Sequence, residues 1–157
     1  MKAATISELK KELIEQPEKR LVELCIELIK YKKENKELLT YLLFDSGNKR
    51  AFVQQIKTEI DELYEAINTE LNLYFVKKSI RKILRLVNKY SKYIGEKEIE
   101  VELLLYFLKK LRFSGILYEK SKTLHNLYQT QLKKVSTLIA SLHEDLQYDY
   151  QKELANL

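Results

Sequence analysis

The sequence predicts an all-α fold of six to seven antiparallel helices packed as a helical bundle. The chain of 157 residues has only three glycines and one proline, too few for the many tight turns of an all-β fold. Apolar residues recur at the three- and four-residue spacing of amphipathic helices. The glycines and the proline fall where that spacing is interrupted, so periodicity and helix-ending residues agree.

Each predicted helix is a stretch of regular apolar spacing between two such interruptions. The predicted helices cover residues 5–15, 17–33, 36–45, 49–72, 75–94, 96–113 and 117 onward, the last with a break near Ser141. Pro17 suits the first turn of the second helix, and Gly47 has the usual helix-ending position after the third. Cys25 lies on an apolar helix face, which predicts a buried, inert thiol. Residues 101–113 are apolar around most of their helical wheel, so we expect this helix to be the most buried.

The segment over residues 75–94 differs most from its surroundings. On a helical wheel its cations fall within an arc of about 140°, opposite an apolar arc, and no acidic residue interrupts it. We call these seven cations the basic stripe: Lys77, Lys78, Arg81, Lys82, Arg85, Lys89 and Lys92. Residues 72–113 carry 11 basic and 4 acidic side chains, net +7, whereas the whole chain is at +5. The excess positive charge therefore lies in the middle third of the chain.

The basic stripe has two interpretations. It is either a structural face, solvated or neutralised by the protein's own carboxylates, or it is a contact surface for an anion such as the phosphate backbone of a nucleic acid. The acidic stretches before and after it favour the first interpretation. Their carboxylates are Glu59, Asp61, Glu62, Glu65 and the group over residues 96–102.

Three tyrosines lie next to the cations of the stripe and also have two interpretations. Tyr74, Tyr90 and Tyr93 could stack on nucleic-acid bases, but such tyrosines more often lie at the core boundary with the hydroxyl in water. Because the chain has no RNA-binding sheet signature, the nucleic-acid hypothesis rests on charge.

The chain is predicted to form one domain over residues 1–157. Residues 37–43 and 102–108 are similar, which indicates either an internal duplication or a chance similarity between helices rich in Leu, Glu and Tyr. The predicted parts are a helical cap, two three-helix units and a C-terminal extension, over residues 1–16, 17–71, 73–142 and 143–157. Stacked units of this kind would form a short HEAT-like or armadillo-like array instead of a simple bundle.

The sequence contains no motif of a known catalytic, cofactor or metal site. It has no phosphate-binding glycine loop, nucleophile elbow or zinc spacing, and His125 and His143 lie too far apart along a helix to share a metal. We therefore expect no enzymatic activity, no cofactor and no small-molecule substrate. The single cysteine, the absence of a signal-peptide pattern and the absence of a long apolar run predict a cytoplasmic protein without a membrane partner.

Two functions follow as hypotheses. The first is a non-enzymatic helical scaffold or protein-interaction module, with a protein partner or self-association, the latter through the long C-terminal helix. The alternative is binding of nucleic acid through the basic helix over residues 75–94.

Overall fold

The computed structural model describes residues 2–68 and 72–157. Within those ranges the regular structure is helical and contains no β-strand, which confirms the predicted all-α class. The α-helices are α1 (Ile6–Ile14), α2 (Glu18–Tyr31), α3 (Lys33–Thr40), α4 (Lys49–Glu65), α5 (Leu73–Ile94), α6 (Lys97–Phe113), α7 (Lys122–Ile139) and α8 (Glu144–Ala155). A π-helical turn over Tyr41–Asp45 and a 3₁₀ turn over Ser46–Asn48 join α3 to α4.

The chain divides into two compact units, Met1–Asp45 and Ser46–Leu157. In the first unit, α1 begins with a capping box, in which Thr5 and Glu8 each satisfy a backbone N–H of the other. Helices α2 and α3 pack on each other, and the side-chain amide of Asn35 donates to the Leu28 carbonyl at 2.8 Å. Most apolar side chains of this unit are exposed.

The second unit is an up-and-down bundle around α6. The Lys57–Glu102 ion pair and the hydrogen bond from Tyr64 to the Phe107 carbonyl lie in the same order along α4 and α6, so these two helices run parallel. Helix α5 connects them in the opposite direction and packs on both. Helices α7 and α8 continue the alternation, with α7 against α6 and α8 against α7.

Helix α6 is the most buried element, as the sequence predicts. Its buried side chains are Ile99, Val101, Leu103, Leu104, Leu105, Phe107, Leu108 and Leu111. They face several directions around the helix because α4, α5 and α7 all pack against it. This central position explains why α6 needs an apolar surface on nearly all sides.

Two of the three glycines end structural elements through a left-handed conformation. Gly95 has a φ of +73° and donates its N–H to the Ser91 carbonyl, which ends α5. Gly115 has a φ of +74° and follows the end of α6. Gly47 has no positive φ and lies inside the 3₁₀ turn, so its predicted helix-ending role is wrong.

Several other expectations need correction or stay open. The Cys25 thiol is exposed and not buried, because most of α2 faces solvent. Helix α4 ends at Glu65, earlier than predicted, and the predicted residues 69–71 lie outside the described residues. The predicted last helix is two helices, α7 and α8, separated by turns over residues 140–143.

The predicted three-helix units over residues 17–71 and 73–142 do not coincide with the compact units, which meet between Asp45 and Ser46. Residues 37–43 run from α3 into the π-helical turn, whereas residues 102–108 lie within one straight buried helix. The internal duplication and the repeat array therefore stay predictions.

Candidate nucleic-acid interface

Helix α5 owes its bounds to its flanking residues. Asn72 accepts a hydrogen bond from the Tyr74 N–H at 3.0 Å through its side-chain oxygen and so begins the helix. Gly95 ends it. Between them, one face is fully committed to the bundle core; its buried residues are Val76, Ile80, Ile83, Val87, Ser91 and Ile94. The cations of the basic stripe occupy the opposite side, as their spacing predicts.

Most of the basic stripe faces solvent. Lys78, Arg81, Lys82, Arg85 and Lys92 are exposed, and Lys77 and Lys89 are half-buried. Lys89 aside, the other six cations of the stripe form no ion pair with a carboxylate of the described residues. The stripe is thus a row of cations presented to solvent on a rigid helix.

Four of the carboxylates expected to neutralise the stripe pair with other lysines, so the expectation that these four neutralise it is wrong. Asp61 pairs with Lys110 at 2.7 Å, Glu102 with Lys57 at 2.5 Å and Glu100 with Lys134 at 2.6 Å. Glu96 pairs with Lys49. These carboxylates lie on or next to α4 and α6 and face lysines of α4, α6 and α7, whereas the stripe lies on the outer side of α5. Proximity in sequence therefore did not translate into proximity in space.

The two ends of α5 differ in how their aromatic residues are used. Near the C-terminal end, Tyr90 packs edge-on against Phe52 and Tyr93, and its hydroxyl donates to Glu59 at 3.3 Å. The Lys89 ammonium lies 4.7 Å from the centre of the Tyr90 ring. Tyr90 and Tyr93 are both half-buried, so these rings belong to the bundle's own packing.

At the N-terminal end, the outer surface of α5 forms a shallow groove. Its volume is about 530 Å³, and its lining residues are Tyr74, Lys77, Lys78, Arg81, Leu84, Arg85 and Asn88. The Arg85 Nε donates to the Arg81 carbonyl at 3.4 Å, and the Asn88 side-chain oxygen accepts from Lys134 at 3.1 Å. The groove thus joins four cations with one aromatic ring and one aliphatic side chain.

Sequence reasoning identifies the cations of this groove but misses Leu84 and Asn88. Both lie at helical spacing from groove cations, Leu84 three residues after Arg81 and Asn88 three after Arg85. That spacing is the signal that could have found them. Asn88 escapes notice because a helical wheel divided only into charged and apolar residues omits it.

The arrangement suits recognition of an anion and offers no groups for acid–base catalysis. The groove contains no histidine, carboxylate or thiol among its described lining residues. Across residues 2–68 and 72–157, no group of three His, Cys, Asp or Glu side chains converges in a way that could hold a metal ion. In the same ranges, no helix has the length and apolar character needed to cross a membrane.

A second polar cluster lies between α4 and α6. The Tyr106 hydroxyl donates to both oxygens of Asp61, at 2.6 and 2.7 Å, and Lys110 pairs with the same carboxylate. Desolvation, followed by the hydrogen bond to Asp61, raises the pKa of Tyr106, and the bond to Asp61 raises the pKa of Lys110. Both increases in pKa keep Tyr106 and Lys110 protonated, so the cluster is a stable bridge between α4 and α6.

Comparison of the chain with protein-family models, with curated proteins and with solved structures gives no match.

Proposed function

We propose that the protein binds nucleic acid through the basic stripe of α5, by contacts to the phosphate backbone. The observation that carries the proposal is a row of five exposed cations without carboxylate partners among the described residues, namely Lys78, Arg81, Lys82, Arg85 and Lys92. Several carboxylates of the neighbouring acidic stretches pair with other lysines. From Lys77 to Lys92 the stripe extends over roughly 22 Å of helix, enough to contact several phosphates. The acidic stretches of the sequence favour internal neutralisation, and the pairing of Asp61, Glu96, Glu100 and Glu102 with other lysines supports the proposal against that alternative.

Charge reversal within the groove tests the proposal. The variant Lys78→Glu/Arg81→Glu/Arg85→Glu removes three exposed cations. The matched control, Lys97→Glu/Lys120→Glu/Lys122→Glu, makes the same change of net charge at exposed lysines of the same compact unit that do not line the groove. Binding to labelled single-stranded and duplex oligonucleotides is measured by fluorescence anisotropy over a series of salt concentrations.

We expect the parent and the control to bind with an affinity that falls steeply with salt, and the groove variant to bind at least about tenfold more weakly at low salt. The plot of log K against log salt has a negative slope, and each cation removed should make that slope shallower by about 0.7 to 0.9. Equal losses in the groove variant and the control would show a general charge effect and contradict the proposal. Binding to anionic lipid vesicles as tight as to oligonucleotides would contradict the assignment to nucleic acid.

A second candidate function, protein interaction, has support from α1. Ile6, Leu9, Leu13 and Ile14 form one exposed apolar face, and together with Leu21 they line a groove of about 760 Å³. We propose self-association of the chain through this face. The C-terminal surface first expected for this role is less suited, because α7 buries Leu124, Tyr128, Val135 and Ile139 within its own unit.

Light scattering over a range of protein concentrations tests self-association. We expect a concentration-dependent dimer that the Leu9→Lys/Leu13→Lys variant converts to a monomer. A parent that is monomeric at every concentration would contradict this second function without affecting the first.

A further inference from the structure

Charge alone does not distinguish a duplex from a single strand, but one aromatic ring beside the stripe does. Tyr74 is 65% exposed and lines the same groove as the four cations. Lys77, Lys78, Arg81 and Arg85 follow it by three, four, seven and eleven residues, which places all of them on one face of the helix. The ring therefore lies at the start of a line of positive charges.

The Tyr74 ring contacts one neighbouring ring, and most of its surface is exposed. Phe75 packs against it at nearly a right angle, with the ring centres 5.5 Å apart. Within the described part of the chain, no hydrogen bond of the Tyr74 hydroxyl ties the side chain to the bundle. In this it differs from Tyr90, whose hydroxyl donates to Glu59 and whose ring contacts two other aromatic rings.

We infer that the ligand is single-stranded nucleic acid, with one unpaired base stacked on Tyr74 and the following phosphates on Lys78, Arg81 and Arg85. This inference rests on the proposed function and adds its substrate class. A duplex presents phosphates on its outside but keeps the faces of its bases stacked within, so Tyr74 would gain little from it. A single strand offers both a base face and a backbone, and proteins that bind single strands combine cationic grooves with aromatic stacking surfaces in this way.

The spacing along α5 supports the same ligand. Residues three and four apart on a helix rise by about 4.5 and about 6 Å, so Lys78, Arg81 and Arg85 form a nearly even series. The larger rise is close to the separation of successive phosphates in an extended strand. A strand that runs along the helix can therefore place a base at Tyr74 and keep its phosphates in register with the cations.

Three ligands separate stacking from charge. A deoxythymidine strand of about 12 nucleotides offers bases and phosphates. An abasic strand of the same length offers phosphates only, and a duplex of that length hides its bases. Each is titrated with the parent, with Tyr74→Ala, with Tyr74→Phe, and with Tyr148→Ala. Tyr148 is the matched control, because it is 62% exposed and also lies beside a lysine, with the Lys152 ammonium 4.2 Å from its ring centre.

We expect the parent to bind the thymidine strand about tenfold more tightly than the abasic strand. Tyr74→Ala should remove that difference while binding to the abasic strand and the duplex stays unchanged. Tyr74→Phe should retain it, since the ring and not the hydroxyl stacks, and Tyr148→Ala should have no effect. Retention of the parent's preference by Tyr74→Ala, or tighter binding of the duplex than of the thymidine strand, would overturn the inference.

Fluorescence gives a second, direct readout. The chain has no tryptophan, so Tyr74→Trp and Tyr148→Trp each introduce a single indole. The thymidine strand should quench the emission of the indole at position 74 and the abasic strand should not, whereas the indole at position 148 should respond to neither.

The outcomes also separate this inference from the proposed function. If charge reversal abolishes binding of all three ligands while Tyr74→Ala alters none, backbone binding stands and stacking fails. If the parent binds none of the three, both fail.

Discussion

Asp61 of α4 and Lys110 of α6 form an ion pair, with 2.7 Å between the carboxylate oxygen and the ammonium nitrogen. The same carboxylate accepts the hydrogen bond of Tyr106. In sequence, Asp61 belongs to the acidic stretch that precedes the basic helix, which made it a candidate partner of the stripe. In the bundle it serves the contact between α4 and α6 instead, and the stripe keeps its charge.

Since Asp61 pairs with Lys110, we expect the exposed charges of α5 to contribute little to the stability of the fold. We expect Lys78→Glu/Arg81→Glu/Arg85→Glu to keep its free energy of unfolding within about 1 kcal/mol of the parent. Exposed substitutions have small effects. The carboxylates introduced at positions 78 and 85 stand four residues before Lys82 and Lys89, a spacing that stabilises helices, and this offsets the repulsion between the new carboxylates at positions 81 and 85. Urea unfolding followed by circular dichroism measures the change. A loss above about 2 kcal/mol would mean that the stripe is structural.

The Asp61 bridge should contribute measurably to stability. We expect Asp61→Asn to lower the free energy of unfolding by about 1 kcal/mol, a modest value because Asp61 and Lys110 are both partly exposed. Glu62→Gln is the control, since the Glu62 carboxylate is exposed and forms no ion pair among the described residues. Equal effects of the two substitutions in urea unfolding would argue against a specific role for Asp61.

The centre of α6 should be far more sensitive. Leu104 has no exposed surface, so we expect Leu104→Ala to lower the free energy of unfolding by about 2 to 5 kcal/mol through lost apolar burial and a residual cavity. Leu117 is 62% exposed, and Leu117→Ala should change the free energy of unfolding by no more than about 0.5 kcal/mol. Thermal and urea unfolding provide the comparison. A small effect at Leu104 would contradict the central position of α6.

Buried phenols should make the fold sensitive to alkali. Burial raises the pKa of Tyr64, whose hydroxyl donates to the Phe107 carbonyl at 3.1 Å, and raises the pKa of Tyr150 to about 12. Because these pKa values are higher in the folded chain than in the unfolded one, their contribution to stability is complete below about pH 10. It is lost as the pH rises from there through the folded values.

Urea unfolding between about pH 8 and about pH 11.5 tests this behaviour. We expect the parent to lose stability above about pH 10. Tyr64→Phe should be less stable than the parent at the lower pH by about 1 kcal/mol, since it lacks the hydrogen bond, but should lose less on going to high pH. An identical alkaline loss in both proteins would show that Tyr64 does not titrate with unfolding.

Much of the fold was predictable from local chemistry. The bounds of α5 follow from its spacing and from Gly95, and the burial of α6 follows from its apolar wheel. Features that depend on which elements meet were not predictable. Cys25 lies on a helix with an apolar face, but that face is not covered enough to bury the thiol.

The candidate interface likewise has features that the sequence predicts and features that depend on packing. The cations of the basic stripe could be identified from sequence because a helix fixes which residues share a face. The lysine partners of Asp61, Glu96, Glu100 and Glu102 could not be identified, because helical spacing does not show which helices meet. The different fates of Tyr74 and Tyr90 likewise depend on Phe52 and Glu59, which only packing brings to Tyr90.

The anchoring of α5 has a consequence for the thermodynamics of recognition. Val76, Ile80, Ile83 and Val87 fix the inner face of a helix 22 residues long, so the intervals between its outer charges exist before any ligand arrives. The protein then gives up little backbone entropy on association, and the ligand bears most of the ordering. Affinity should accordingly depend on how easily a strand extends to match the spacing of the charges on α5. Strands that fold back into hairpins should bind more weakly than unstructured strands of equal charge.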